Sequence, residues 1–404
     1  MSRRSGVHGS KQALHVALVT QNAALELDLR PRAEAAALAG AGYHVTLVGG
    51  TRDAERVREL ADESLALELY PMPPEATSPA GQIVELARSF ASLTRALVRL
   101  SRRQRIDVVH ASNPPDNVWL LLPLLRAVQG SKPRFVFDQH DVAPVLLREK
   151  YGDRKVVGRL GAVAELLERR SYRNAELVVF ANPEYSERSH ALNLLRGRSA
   201  LVPNGWSLEG GEISAAWRDG ARPVLAYIGA MSEQDCIPNL VDAVGILGTR
   251  DLLVWMAGDG AARAEAERRA RGLGIADCFR WLGWVDGREK LASLIASADV
   301  CVAPETESEF NKLASFVKLV EYMSVGAPIA AHRLAQNVAL CGDTVEYADD
   351  MSPQGLANAI RRLLEDKERA ARLGAAARGR FHSSIAWESV GAPRLVAAYD
   401  ATFR

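Results

Sequence analysis

Short apolar runs alternate with stretches of helical spacing along this chain. In the first half, strands are predicted at His15 to Thr20 and at Tyr43 to Val48, on either side of an alanine-rich helix from Arg32 to Ala41. Further strands are predicted at Asp107 to His110, Phe135 to Phe137 and Ala175 to Ala181, with helices between them. Strands and helices that alternate in this way are typical of an α/β protein with a doubly wound parallel sheet.

The second half repeats this alternation. Its predicted strands are Val224 to Ile228, Leu252 to Ala257, Phe279 to Leu282 and Val300 to Ala303. Gly229 and Gly258 follow the first two of these strands, at the edge of the sheet where ligands bind in such folds. Glycine at that edge lets the backbone approach a nucleotide, although a structural turn would need the same residue. The chain is therefore predicted to hold two α/β units.

One predicted helix of the second half carries the chemistry. It runs from Ala314 to Ser324, and the pattern places Ser315, Lys318 and Glu321 on one face, with Ser315 in the first turn. Phosphate oxygens bind well at a helix N-terminus beside a hydroxyl and an ammonium, and a carboxylate further along can accept hydrogen bonds from two ribose hydroxyls. The alternative is an amphipathic surface helix with a solvated lysine and glutamate.

This stretch resembles the donor-nucleotide motif of a known family. Its residues spell SxxKxxEYMxxGxP, namely Ser315, Lys318, Glu321, Tyr322, Met323, Gly326 and Pro328. The motif is similar to that of retaining glycosyltransferases with the GT-B fold, family 4 in particular. Other landmarks of that family appear in the same order, namely VPNG ending at Gly205, a YIG turn at Gly229, an AGDG turn at Gly258 and LGWV around Gly283. The resemblance thus covers almost the whole chain.

The resemblance implies both an architecture and a reaction. The fold would be GT-B, in which two Rossmann-like doubly wound parallel-sheet domains face a central cleft. The enzyme would transfer a sugar from a nucleotide-sugar donor to a hydroxyl acceptor with retention of configuration, in the synthesis of cell-surface polysaccharide or glycoconjugate. Ser315 and Lys318 would bind the donor diphosphate, with Lys318 also acting in catalysis, and Glu321 would bind the ribose. Gly229 and Gly258 would complete the donor site.

No metal and no other cofactor are expected. In the implied mechanism, preorganised hydrogen-bond donors and the helix N-terminus offset the charge that develops on the leaving diphosphate, and the protein supplies no covalent nucleophile. The sequence agrees with this expectation, because it has no DxD-type pair after a strand and no cluster of histidines and cysteines.

Two departures from the family pattern leave alternatives open. Most members carry a basic pair after the YIG turn, whereas this chain has Ser232, Glu233, Gln234 and Asp235 there. The family's usual Glu-x7-Glu pair is also incomplete, because Leu313 stands eight residues before Glu321. The hydroxyls of the sugar would then be met by Glu305, Glu307, Glu309 or Asn311. The alternatives are a sugar-nucleotide epimerase or a phosphorylase of the same fold, and a catalytically inactive partner subunit.

Polar residues also follow two predicted strands of the first half. Asp28, Arg30 and Arg32 lie after the first strand, in a loop similar to DxRxxR-like loops beside the family's cleft, and either arginine could reach the diphosphate. His140 and Asp141 end the motif DQHD after a later strand. His140 is predicted to face the reacting sugar and to act in catalysis, with Asp141 beside it. A solvated loop and a structural histidine are the respective alternatives.

The predicted organisation has four segments. Residues 1–12 form a disordered N-terminus, residues 13–206 an acceptor domain, and residues 207–385 a nucleotide-sugar donor domain. Residues 386–404 form a C-terminal helix that, by the resemblance, crosses back to the first domain.

The composition narrows the cellular setting. The chain has 404 residues and a formal net charge of +1, which gives no reason to expect nucleic acid as a partner. Its four scattered cysteines favour a reducing compartment, and neither a signal peptide nor a run long enough to span a bilayer is apparent. A cytoplasmic enzyme is therefore expected.

The charge is divided unevenly between the two halves. Residues 1–205 carry 28 Lys and Arg against 22 Asp and Glu, a net of +6, and the remainder carries 22 against 27, a net of −5. A basic first half fits a lipid-linked acceptor and peripheral contact with the inner face of the plasma membrane, with the arginine-rich helix Pro79 to Arg105 as a candidate surface. Attraction between two oppositely charged domains would produce the same division.

Overall fold

The computed structural model describes residues 13–21, 23–74, 76, 79–151, 155–208, 217, 220 and 222–404. The predicted disorder of residues 1–12 concerns a segment outside these ranges. Within the described parts of the chain, no helix is both long enough and apolar enough to cross a bilayer.

The first half folds around a seven-stranded sheet with the strand order β3-β2-β1-β4-β5-β6-β7. The strands are β1 His15–Thr20, β2 His44–Thr51, β3 Ala66–Pro71, β4 Val108–Ser112, β5 Arg134–Gln139, β6 Leu177–Phe180 and β7 Arg198–Leu201. The helices are α1 Leu29–Gly40, α2 Ala54–Leu60, α3 Pro79–Arg103, α4 Leu122–Gln129, α5 Ala143–Tyr151, α6 Lys155–Asn174 and α7 Pro183–Ala191. All neighbouring strands are parallel.

The second half folds around a six-stranded sheet with the order β10-β9-β8-β11-β12-β13. The strands are β8 Val224–Ile228, β9 Leu253–Ala257, β10 Phe279–Gly283, β11 Val300–Ala303, β12 Ile329–Ala331 and β13 Glu346–Tyr347. The helices are α8 Ile237–Leu247, α9 Arg263–Gly272, α10 Arg288–Ser297, α11 Val317–Val325, α12 Ala335–Cys341, α13 Pro353–Glu365, α14 Lys367–Ser384 and α15 Ala392–Phe403. These strands are also parallel throughout.

Each sheet is covered by helices on both faces, which explains why its central strands are mostly apolar. In β1, Val16 and Leu18 belong to one hydrophobic core and Ala17 and Val19 to another. Successive side chains of a strand point to opposite faces, so the two cores lie on opposite sides of the sheet. The second sheet divides its core residues in the same way. The predicted pair of Rossmann-like doubly wound domains is therefore confirmed.

The C-terminal helix α15 packs on the first sheet, although it follows the second sheet in the chain. Leu395 and Tyr399 lie in the same hydrophobic core as Val16 of β1. The hydroxyl of Tyr399 lies 2.6 Å from Nδ1 of His110 in β4, and the Tyr43 hydroxyl donates to Asp400 at 2.7 Å. The end of the chain thus ties the two halves together.

The return crossing requires a glycine at position 205. The backbone N–H of Trp387 donates to the carbonyl of Gly205 at 2.8 Å, and a Cβ at Gly205 would lie 1.8 Å from the carbonyl oxygen of Ile385. Two backbone segments therefore touch where a side chain would stand.

Gly205→Ala is expected to lower the free energy of unfolding by about 1–3 kcal/mol, because the crossing must shift to admit a methyl group. Denaturant unfolding would measure this change. The control is Gly379→Ala in α14, where a Cβ would have no heavy atom within 4 Å, so stability should stay equal or rise. Equal stability of the two variants would contradict the tight crossing.

Candidate active site

The carboxyl ends of the two sheets face each other across a cleft of about 440 Å³. The residues on the cleft wall include His140, Asp141, Ala181 and Asn204 from the first half, and Gly229, Gly258, Ser315, Lys318 and Glu321 from the second half. Open parallel sheets bind ligands at this edge. The structure therefore brings together seven of the predicted site residues, whereas Asp28, Arg30, Arg32, Glu309 and Asn311 lie elsewhere.

The two glycines after β8 and β9 let two loops pack backbone against backbone. Gly229 and Gly258 have φ angles of 129° and 127°, a backbone conformation that residues with a side chain rarely adopt. A Cβ at Gly258 would lie 1.9 Å from the carbonyl oxygen of Gly229, and one at Gly229 would lie 3.2 Å from Cε of Lys318. Both glycines thus form tight turns, and Gly229 exposes backbone without a side chain beside Lys318.

Helix α11 begins later than the sequence predicts. Phe316 caps it in an extended conformation, with φ −80° and ψ 106°, and its ring is buried in the core. The first helical residue is Val317, so the prediction that Ser315 occupies the first turn is wrong. Ser315 instead lines the cleft two residues before the helix, and Lys318 takes the first-turn position. Gly326 ends the helix in the left-handed conformation.

Lys318 is buried, with only 7% of its surface exposed, so it is not a solvated surface lysine. Its ammonium donates hydrogen bonds to the Tyr227 hydroxyl at 3.0 Å, to Asp235 Oδ1 at 2.7 Å and to Glu305 Oε1. Burial alone would lower the pKa of Lys318, but the charges of Glu305 and Asp235 raise it above its ordinary value. Lys318 is therefore a permanently charged group held by two carboxylates at the floor of the cleft.

Glu321 lies one turn beyond Lys318 on the cleft wall. Burial raises the pKa of its carboxyl to about 7, and Arg288 and Lys318 offset part of that effect. At neutral pH the carboxyl is thus divided between its neutral and ionised forms.

His140 stands at the end of β5 and lines the cleft from the opposite side. Its Nε2 is hydrogen-bonded to Asp138 Oδ2, and Asn113 Oδ1 accepts the backbone N–H groups of His140 at 2.7 Å and of Asp141 at 3.1 Å. Because a carboxylate can only accept, Nε2 carries the proton and Nδ1 is the nitrogen left to take part in other contacts. Burial raises the pKa of Asp141 to about 6.

Arg30 does not reach the cleft, contrary to the sequence prediction. Its guanidinium is 3% exposed and donates to Asp138, to the Val202 carbonyl at 2.9 Å and to Asn204 Oδ1 at 2.7 Å. Burial alone would raise the pKa of Asp138, but the charge of Arg30 holds it well below the ordinary value. Arg30 therefore fixes the carboxylate that holds His140, and cannot clamp a diphosphate.

Asp28 and Arg32 also have local roles. Asp28 caps α1 by accepting the backbone N–H of Arg30, and Arg32 donates to the carbonyl of Asp28 at 3.2 Å. Asp28 borders a separate surface hollow of about 550 Å³ that also includes Arg52 and Glu85. An aspartate directly before a helix is a common N-cap, so the position of Asp28 before α1 is a sequence signal for this local role.

Two predicted site residues in the acidic loop before α11 also bind other parts of the protein. Asn311 is buried and donates to the carbonyls of Gln234 and Thr306, at 2.9 Å each. Glu309 is exposed and pairs with Arg148 of α5 at 2.9 Å, so it bridges the two halves outside the cleft wall. The expected contacts of Glu309 and Asn311 with the sugar therefore do not match their positions.

The same loop explains why Leu313 replaces the family's glutamate. Its side chain packs against the hydrophobic core of the first half, and its carbonyl accepts a hydrogen bond from Asn182 at 2.9 Å. Leu313 is thus an interdomain packing residue.

A buried group of metal-ligating side chains lies behind His140, among the described residues. Atoms of Glu34, His110 and Asp138 come within 4.8 Å of one another. The guanidinium of Arg30 already lies 3.0 Å from Glu34 and 2.9 Å from Asp138, so a further cation would meet repulsion there. Sequence reasoning missed this network, because its members come from separate strands and helices. The expectation of a metal-free enzyme stays a prediction.

Two family models match the chain. Residues 30–205 match the glycosyl transferase 4-like domain, and residues 222–366 match the glycosyl transferases group 1. Among curated proteins, the chain is 29% identical over 182 residues to a GDP-mannose-dependent alpha-(1-6)-phosphatidylinositol dimannoside mannosyltransferase of Mycobacterium tuberculosis, which spans 44% of each protein. The chain therefore matches less than half the length of that relative. It is also 25% identical over 294 residues to the lipopolysaccharide core biosynthesis glycosyltransferase LpsE of Rhizobium meliloti, covering 69% of this chain and 82% of LpsE.

Solved structures share the fold at low identity. Sucrose-phosphate synthase from Thermosynechococcus elongatus superposes with a TM-score of 0.76 at 20% identity, covering 96% of this chain and 99% of that one. HepE of Anabaena, solved in complex with UDP-glucose, superposes with a TM-score of 0.66 at 16% identity, covering 96% of this chain and 99% of that one.

Two parallel-sheet domains that face a cleft with their carboxyl edges define a GT-B protein. Residues 30–205 belong to the glycosyl transferase 4-like domains and residues 222–366 to the glycosyl transferases group 1.

Proposed function

We propose that this protein transfers a hexose from a nucleoside diphosphate sugar to a hydroxyl acceptor with retention of configuration, in the synthesis of a cell-surface polysaccharide or glycoconjugate. The observation that carries the proposal is the cleft in which His140 of one sheet faces Lys318 and Glu321 of the other. A GDP-mannose-dependent mannosyltransferase and a lipopolysaccharide core glycosyltransferase among the relatives support the donor and product classes.

In this proposal the second half, residues 207–385, binds the donor and the first half, residues 13–206, binds the acceptor. The bare backbone at Gly229 and Gly258, with Ser315 and Lys318, would hold the diphosphate at the start of α11. Glu321, one turn further along, would accept hydrogen bonds from the ribose hydroxyls.

The chemistry rests on preorganised charge. Negative charge grows on the diphosphate as the sugar leaves, and the fixed ammonium of Lys318 with the N-terminus of α11 would stabilise it without a metal. His140 would meet the reacting sugar from the opposite wall, with Asp141 beside it. The protein supplies no covalent nucleophile in this scheme.

A screen of sugar nucleotides by thermal denaturation tests the donor assignment. A ligand at about 100 times its dissociation constant should stabilise the protein by roughly 2.7 kcal/mol. UDP-, GDP-, ADP- and dTDP-sugars should therefore separate into one group that raises the melting temperature and others that do not. No stabilisation by any of them would overturn the proposal.

Donor binding is expected to strengthen with pH through the titration of Glu321. Only the ionised carboxyl accepts two ribose hydrogen bonds, and a pKa of about 7 leaves about a tenth of Glu321 ionised at pH 6 and about nine-tenths at pH 8. Affinity should thus rise about tenfold over this range. Calorimetry with an intact sugar nucleotide is suited to this test, because its diphosphate has no ionisation there. The rise should vanish in Glu321→Gln, and a rise that persists would rule out Glu321 as its cause.

Peripheral contact with anionic lipid is proposed for the first half, with its net charge of +6. On α3, Arg99 and Arg103 pair with Glu68, so the exposed Arg95 and Arg102 are the better candidates. Exposed Val163 and Leu166 of α6 add apolar surface to the same half.

The full chain is therefore expected to sediment with anionic vesicles more than with neutral ones at low salt. The preference should fade at physiological salt, where charges are screened beyond about 8 Å. Reversing Arg95 and Arg102 to glutamate should abolish it, whereas reversing Arg268 and Arg271 of α9 should not. No preference for anionic vesicles would indicate that the acceptor is soluble. The opposite charges of the two halves would then serve to attract the two domains to each other.

A further inference from the structure

The ammonium of Lys318 has no hydrogen-bond donor left for a ligand. An ammonium has three N–H groups, and these are directed at Tyr227, Asp235 and Glu305. A phosphate oxygen that enters the cleft can therefore bind Lys318 only by displacing one of these three partners.

The positions of the partners decide which one is displaced. Asp235 lines the cleft, whereas Tyr227 and Glu305 are fully buried on the interior side of Lys318. Loss of the ammonium would leave Glu305 as a buried carboxylate without its cation, and its Oε2 already has no hydrogen-bond partner. A ligand in the cleft thus meets Asp235 first and can replace it at the lowest cost.

Asp235 is fastened in its place by its own loop. Ser232 donates to Asp235 Oδ2 from its backbone N–H at 3.1 Å and from its hydroxyl. Burial alone would raise the pKa of Asp235, but Lys318 holds it below the ordinary value, so the carboxylate stays ionised. The two bonds from Ser232 do not involve Lys318, so an anion that binds the ammonium in place of Asp235 would still lie beside the negative charge of Asp235.

We propose, on the basis of the function proposed above, that Asp235 competes with the donor for Lys318. The diphosphate of the donor takes the place of Asp235 at the ammonium, while Glu305 and Tyr227 keep their hydrogen bonds. Asp235 therefore weakens the binding of every diphosphate anion, and the binding energy of the base and sugar must offset this. The free nucleoside diphosphate, which lacks the sugar, is held weakly and leaves after transfer.

Calorimetric titration with UDP, GDP, ADP and dTDP tests this competition. Asp235→Asn keeps the shape of the side chain and removes its charge, so the best-binding nucleotide should bind about 10- to 100-fold more tightly than to the wild type. The matched control is Glu233→Gln, which removes an equal charge from an exposed side chain two residues away and should leave affinity within about twofold.

A double-mutant cycle with Lys318→Met separates competition from general repulsion. In the Lys318→Met background, Asp235→Asn should recover much less affinity, because no ammonium is released. Asp235→Ser provides a second uncharged variant if Asp235→Asn melts at a lower temperature than the wild type. Unchanged or weaker binding by the folded uncharged variants would overturn the competition while leaving the donor site intact. Failure of every form, wild type included, to bind any of the four nucleotides would overturn the proposed function, and the competition with it.

Discussion

Replacing Lys318 with methionine is expected to lower kcat/KM for sugar transfer by about 100- to 1000-fold, the loss typical of removing one preorganised group from a developing negative charge. The methionine keeps most of the side-chain volume and removes the ammonium. Because charge on the diphosphate grows in the transition state, kcat should fall more than donor affinity does. Steady-state kinetics and donor titration together measure the two effects.

The control for this variant is Lys312→Met, in the loop before α11. Lys312 is exposed and pairs with Glu307 at 3.2 Å, so its removal should leave both kinetic constants nearly unchanged. Lys318→Met leaves Glu305 without its cation, and Lys318→Met combined with Glu305→Gln restores a neutral interior if the single variant is unstable. A folded double variant with near wild-type kcat would remove Lys318 from catalysis.

Replacing His140 with alanine is expected to lower kcat by about 100-fold or more while donor binding stays within about twofold. His140 lines the cleft opposite Lys318, and its Nε2 is held by Asp138, which Arg30 holds in turn. The imidazole is therefore held in one orientation in the cleft. In the proposed function it meets the reacting sugar and not the base. Donor titration and transfer assays on the same preparation measure the two quantities.

His190→Ala is the matched control, because His190 is exposed at the end of α7 and does not line the cleft. It should retain full activity. A His140→Ala protein that melts at a lower temperature but keeps normal specific activity would return His140 to a structural role.

The alternation of strands and helices was predictable because parallel strands buried on both faces are mostly apolar, as β1 and β8 are. The strands β3, β7 and β13, which lie at edges of the two sheets, were missed. Exposed or partly exposed residues interrupt β3 and β7, and β13 has only two residues. Short or half-exposed strands give a weak hydrophobic pattern, so tertiary pairing defines them.

The candidate site was predictable where its residues follow the central strands or stand on α11. Lys318 and Glu321 are one turn apart, so local spacing alone placed them together. The contact between Asp235 and Lys318 was not predictable in this way. The sequence showed only that the family's basic pair is absent, and not that Asp235 binds Lys318.

The position of Arg30 was predicted wrongly for a related reason. An arginine that follows a strand can bind a ligand, but the guanidinium of Arg30 donates its hydrogen bonds to Asp138 and Val202, which are distant in sequence.

The most direct test of the central claim is to follow the donor and the product together by NMR, with a chelator present throughout. The purified chain is incubated with the sugar nucleotide that stabilises it, with and without a hydroxyl acceptor. The account predicts that free nucleoside diphosphate appears only when the acceptor is present and that the new glycoside keeps the anomeric configuration of the donor. Inverted configuration, an epimerised sugar nucleotide without acceptor, or binding with no turnover for any acceptor offered would contradict it.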